Sequence, residues 1–231
     1  MHQDLAECRA NLYRLLSTAY IQIPQRETLE TKWEPAAKLL EFSQEGTEKA
    51  LSEAEKGLRL IGAYALFGNE ISEQCLINLS KDWTRLFRGV ERNGLLPPYE
   101  SLYRTGRLQE KPAQEIYRLF SLMGVRVPEE WHQPSDYIGV ELDFMRFLCA
   151  KEHQAWEKQE MDSLLEVLEM ERSFLENHLD LWISDYCEKM AEQAHEDFYR
   201  GIARLTTGLI GYDQIWVSHL LGMIHSGRGV R

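Results

Sequence analysis

Leu5-Ala6-Glu7-Cys8-Arg9-Ala10-Asn11-Leu12-Tyr13-Arg14-Leu15-Leu16-Ser17-Thr18-Ala19 carries its apolar residues at steps of three and four. Leu5, Cys8, Leu12, Leu15, Leu16 and Ala19 form one stripe, with Glu7 and Arg14 off it. That period is helical, and the stripe needs a partner surface. Pro24 ends the element.

The same period recurs along the chain. A shorter helix is predicted around Trp33 to Phe42. Thr47 reads as an N-cap ahead of Leu51, Ala54, Leu58, Ile61 and Ala65. Ser72 reads as the cap of a helix through Leu76, Leu79, Trp83, Leu86 and Phe87, and Gly89 as its stop. Pro112 suits a first helical turn, followed by Ile116, Leu119, Phe120 and Met123, with Gly124 as the stop. Another helix begins at Ser135 or Asp136, and long ones follow over 159–177, 180–194 and 196–222. No strand alternation of useful length and no fixed-period repeat is present.

The expected fold is all-α: an irregular single-domain helical bundle of about nine or ten helices over residues 1–231. A functional loop is expected near 90–111, where two loose halves meet, and a frayed tail near 226–231. Such a chain could exchange elements between protomers, as monomer or swapped homodimer.

Composition narrows the function. Hydrophobic residues make up 44% and charged residues 27%, enough for a real core. Lys plus Arg total 26 against 37 acids, a formal charge of −11, which repels nucleic acid and anionic membranes. No run approaches the ~18 apolar residues of a membrane span. Met1-His2-Gln3-Asp4 lacks the basic and apolar regions of an export signal, so a cytoplasmic chain is expected. Cys8, Cys75, Cys149 and Cys187 are far apart, form no CxxC pair and read as buried free thiols.

Catalytic motifs are missing. There is no GxxxxGK loop, HExxH or GxSxG. One ExxH, Glu192 to His195, falls on a predicted helix, and another, Glu129 to His132, lies between Pro128 and Pro134 in a predicted loop. A di-metal bundle needs two helical ExxH motifs and further inward glutamates. No catalytic residue, metal site or cofactor is therefore expected; the alternative is a metal- or nucleotide-dependent enzyme on a helical bundle.

Leu95-Leu96-Pro97-Pro98-Tyr99-Glu100-Ser101-Leu102-Tyr103 is the least ordinary segment. Pro98 forces Pro97 away from the helical region, so the backbone is extended and stiff. Two readings fit: a rigid loop lying on the core, or a preformed binding surface.

This segment resembles the Pro-Pro-Tyr-Glu-Ser stretch of the TorD/DmsD family of redox-enzyme maturation chaperones. Trp83-Thr84-Arg85-Leu86-Phe87 resembles the family's aromatic-x-x-Leu-Phe element, and Asp197-Phe198-Tyr199 matches the Phe-Tyr opening its last long helix. Gln133-Pro134-Ser135-Asp136-Tyr137-Ile138-Gly139 resembles its Glu-Pro-x-Asp-His-Ile/Leu-Gly/Ala motif, with Gln133 for the glutamate and Tyr137 for the histidine.

The resemblance implies an all-helical chaperone, not an enzyme. Its client would be the unfinished catalytic subunit of a molybdenum-cofactor oxidoreductase or that subunit's twin-arginine signal peptide. Such a leader pairs two basic residues with an apolar stretch. Trp83, Leu86, Phe87, Pro97, Pro98 and Tyr99 are expected to form an apolar groove, although core positions suit the first three equally. Glu100, Asp136 and Glu141 are expected at its acidic rim, with Ser101 and Tyr137 alongside in the motifs. Asp136 also suits a cap for the helix that begins at Ile138.

Overall fold

The computed structural model describes residues 2–26, 29, 33–66, 72–89, 94–126, 128 and 132–227, with side chains of 65 and 66 excepted. Among them run ten α-helices and no strand. They are α1 (His2–Ile21), α2 (Glu34–Leu39), α3 (Glu48–Leu66), α4 (Glu73–Arg88), α5 (Glu100–Thr105), α6 (Lys111–Leu122), α7 (Ile138–Lys158), α8 (Met161–Asn177), α9 (Ile183–Gln193) and α10 (Asp197–His225). A 3-10 turn, Leu179–Leu181, joins α8 to α9. The all-α bundle expected from periodicity is the fold observed.

The punctuation follows local chemistry. The Ser72 side chain accepts from Cys75 N at 3.2 Å, and Gly89 closes α4 with φ 60°. Thr47 stands just before α3, its hydroxyl exchanging hydrogen bonds with the backbone of Gln44. Pro112 occupies the first turn of α6, and Gly124, with φ 67°, follows its end.

Two helix pairs dominate the packing: α1 on α7, and α3 on α10. In the first, Leu5, Leu12, Leu16 and Tyr20 meet a face that includes Leu142, Met145 and Leu148; all are buried. The α3–α10 contact is closer still. A Cβ added to Gly208 would lie 2.6 Å from Ala54 N and 2.8 Å from Ala50 O, so backbone touches backbone there. Gly57 and Gly201 face each other along the same seam.

One helix stands where the sequence signals none. Residues 90–111 carry few good helix signals, yet α5 lies inside them. It is one and a half turns long, too short to nucleate on its own propensity. Its support comes from a distant segment.

Cys8, Cys149 and Cys187 are buried, Cys75 is half-buried, and all four are free thiols. No described helix is long and apolar enough to cross a membrane. The predicted tail at 226–231 is described only to Gly227, and the Glu129 of the second ExxH lies outside the described residues.

Candidate functional site

The two proline motifs form one unit, with Ser101 and Asp136 meeting across 35 residues of sequence. Tyr99 and Tyr137 make an isolated antiparallel bridge. Ile138 N donates to Pro98 O, and Glu100 N to Asp136 O, each at 2.9 Å. Both bridge residues are extended, Tyr99 at φ −115° and ψ 127° and Tyr137 at φ −79° and ψ 134°.

Asp136 binds the unit together. Its Oδ2 accepts from Ser101 N at 3.0 Å and from Ser101 Oγ at 2.5 Å. Ser101 lies in the first turn of α5, where backbone N–H groups have no helical partner. Asp136 therefore caps α5, not α7 as expected from its place before Ile138. The N-cap position of α7 is Tyr137, whose side chain makes no cap hydrogen bond. It turns inward instead, the hydroxyl donating to Tyr20 O at 2.6 Å. Gly139 sits close against α1: a Cβ would lie 2.5 Å from Ile21 Cγ1 and 3.2 Å from Ser17 O, so the Ile21 side chain would have to shift to admit one.

The expected acidic rim is corrected by burial. Glu100, Asp136 and Glu141 are each fully buried. Glu100 takes a hydrogen bond from Arg104 Nη1, and its Oε2 lies 2.9 Å from His178 Nδ1, tying α5 to the end of α8. Trp182 Nε1 donates to Glu141 Oε2 at 3.2 Å. Asp136 Oδ1 and Glu141 Oε1 have no hydrogen-bond partner among the described residues. Burial, then the charges of Glu100 and Asp136, push the Glu141 carboxyl well above the usual carboxylate range.

That shift carries a sign. A carboxyl that holds its proton more tightly in the fold adds stability below its unfolded pKa, and loses it as pH rises through the folded value. The loss attributable to Glu141 begins above pH 4.5, the value of an unperturbed glutamate. Glu141→Gln keeps an acceptor for Trp182 and removes the charge. Its melting temperature should exceed the parent's at about pH 8 and converge with it at about pH 5. Equal differences at both pH values would refute a buried, titrating Glu141.

The expected groove is corrected as well. Trp83, Leu86 and Phe87 are 2%, 0% and 1% exposed, so they are core. Trp83 Nε1 donates to Ala19 O, and Phe87 packs on Tyr20 and Tyr199. The opposite face of α4 is open instead. Leu76, Ile77 and Thr84, with Pro24, border a shallow hollow of about 640 Å³.

At the surface, Pro98 is buried and Tyr99 and Pro97 are half-buried. The Tyr99 ring lies tilted at 56° to Tyr137 with centroids 5.3 Å apart, and its hydroxyl donates to Gln133 Oε1 at 3.2 Å. Gln133, the departure from the family's glutamate, is thus an acceptor for Tyr99. Leu96 is 51% exposed, and its carbonyl takes the Tyr103 hydroxyl at 3.0 Å. The Tyr103 ring lies 5.4 Å from Trp182, beside Leu181, also 51% exposed. Exposed Leu96 and half-buried Tyr99 and Tyr103 thus leave apolar surface on the first proline segment.

The ExxH of Glu192 and His195 does not sit on one helix, because α9 ends at Gln193. The backbone N–H groups of His195 and Glu196 instead donate to Asp82 Oδ2, each at 2.9 Å.

A second polar centre has no signature in the sequence motifs. Arg9, fully buried, donates Nε and Nη2 to Asp213 at 2.8 and 3.0 Å. Its Nη1 reaches Glu152 Oε2 and its Nη2 Glu171 Oε2, each at 2.5 Å. Tyr13 Oη adds a bond to Asp213, and Trp156 Nε1 one to Glu152. The four ionic partners come from α1, α7, α8 and α10. Burial dominates at Glu171, pushing its carboxyl up to about 8 against the pull of Arg9. The one signal that could have found it is the place of Arg9 on the stripe side of α1, between Cys8 and Leu12.

The chain is similar to known proteins over most of its length. The family described as nitrate reductase delta subunit matches residues 40–188. A chain named chaperone protein TorD from Vibrio parahaemolyticus is 30% identical over 148 residues, 63% of this chain and 66% of that one. Its namesake from Vibrio cholerae is 26% identical over 222 residues, covering 96% of this chain and 97% of its own. The TorD of Photobacterium profundum is 29% identical over 65% of this chain and 67% of its own. With both proline motifs paired on an all-helical frame, the chain belongs to the TorD/DmsD family of chaperones and is not an enzyme.

Proposed function

We propose that this chaperone acts in the cytoplasm on the unfinished catalytic subunit of a molybdenum-cofactor oxidoreductase, holding it until its cofactor is loaded. The observation that carries the reading is the joining of the two proline motifs through Asp136 and Ser101. That joint fixes a stiff unit with apolar surface on its first proline segment. Leu96, Tyr99, Tyr103 and Leu181 form the client-facing surface, while Glu100, Ser101, Asp136, Tyr137 and Glu141 support it from beneath. A preformed surface spends little entropy on ordering when it binds an extended peptide. The client segment is the apolar part of the signal peptide or a segment of the mature subunit.

A pull-down with purified chaperone from cells making a molybdoenzyme tests the reading. Recovery of a reductase catalytic subunit is expected. Leu96→Asp with Leu181→Asp should cut that recovery at least tenfold, with helicity and melting nearly unchanged, since both side chains are exposed. Ile77→Asp, on the outer face of α4, should leave recovery intact. If no reductase subunit is recovered, the client assignment is wrong. If Ile77→Asp alone abolishes recovery, the client sits in the α4 hollow instead.

A further inference from the structure

Three carboxylates and one guanidinium meet around Arg9, leaving two negative charges uncompensated when all are ionised. Every member is fully buried. Charge of that size, out of water, needs a counter-charge or a bound proton. Arg9 is committed: its fork grips both oxygens of Asp213 and reaches one oxygen each of Glu152 and Glu171. Glu171 Oε1 is left without a hydrogen-bond partner among the described residues.

Beside these carboxylates stands a thiol. Cys149 and Glu152 lie three residues apart on α7, on one face of the helix. Glu171 faces them from α8. One ligand atom from each, the Cys149 Sγ and an oxygen from each glutamate, lies within 4.8 Å of the others. A sulfur and two carboxylates, converging from two packed helices, are a donor set for a thiophilic divalent cation.

We propose that Cys149, Glu152 and Glu171 form a structural site for a divalent cation of the zinc class. The two positive charges offset the two-charge excess of the carboxylates, Cys149 releases its proton on binding as the thiolate, and the loaded cluster keeps one negative charge, with Arg9 staying on Asp213. The cation would sit at the junction of α7 and α8, about 18 Å along α7 from Tyr137. It clamps the bundle and takes no part in client binding. Full burial means the ion enters as the chain folds.

The test uses the full chain refolded with Zn2+, or with Co2+ as a spectroscopic probe, then desalted. One metal per chain is expected, with a raised melting temperature and a near-ultraviolet thiolate-to-cobalt band. Cys149→Ser and Glu171→Gln should each lower the metal content at least tenfold. A variant with Cys8, Cys75 and Cys187 all changed to serine should keep band and metal, which reports on Cys149 even if Cys149→Ser fails to fold. Absence of stoichiometric metal in the parent chain would overturn the proposal. So would undiminished metal in Cys149→Ser, or loss of the band in the variant that keeps only Cys149.

Discussion

Arg9→Met should lose about 3–5 kcal/mol of stability, the usual cost of stripping one partner from a buried ion network. The side chains left behind are Glu152, Glu171 and Asp213, all fully buried and no longer facing the guanidinium. A domain of this kind has only about 5–15 kcal/mol in total. The variant is expected to be insoluble or to unfold at much lower urea concentration, followed by circular dichroism. Arg9→Lys should fall between, because an ammonium cannot serve three carboxylates in a planar fork. Combining Arg9→Met with Glu152→Gln, Glu171→Gln and Asp213→Asn removes the orphaned charges and should recover much of the loss. That non-additivity is the signature of one coupled cluster. An Arg9→Met chain unfolding at the parent's midpoint would show that the cluster contributes nothing.

The second large effect is expected at Gly208. A methyl there would lie 2.6 Å from Ala54 N, with Ala50 O at 2.8 Å. Both neighbours are backbone, so no side chain can swing aside. The helices α3 and α10 must separate, and overpacking of this sort costs about 1–3 kcal/mol or more. Gly222 lies on the same helix with nothing within 4 Å of an added Cβ. Gly222→Ala should therefore stabilise by about 0.8–1 kcal/mol through helix propensity alone. The same substitution with opposite signs, read by thermal unfolding, separates close packing from propensity. Equal shifts at the two positions would contradict the closeness of the α3–α10 seam.

The periodic stripes make the bundle readable from the amino-acid sequence alone. Residues such as Leu12, Leu16, Leu142 and Leu148 obey the helical period because each is pressed against another helix. The caps at Ser72 and Gly89 are equally legible, since those signals are local. The candidate site is legible only as two motifs. Nothing local says that Asp136 serves Ser101, because a cap usually belongs to the helix that follows it. Nor does residue type distinguish a rim acid from a buried one. Glu100 and Glu141 read as surface charges because their partners, His178, Arg104 and Trp182, are remote or unremarkable in sequence. Trp83, Leu86 and Phe87 fit groove and core equally, and only packing decides for the core. The Arg9 cluster is hidden for the same reason: its members are spread over four helices and share no spacing.

The cap of α5 is borrowed from a residue 35 positions downstream, and this sets an order of events. Chain elongated only through Thr105 has no carboxylate to satisfy Ser101, and six residues do not hold a helix unaided. Closure of the intervening loop has to come first, at an entropic cost that grows only slowly with length. As the chain is made, then, α5 is a late arrival whose formation waits for residue 136.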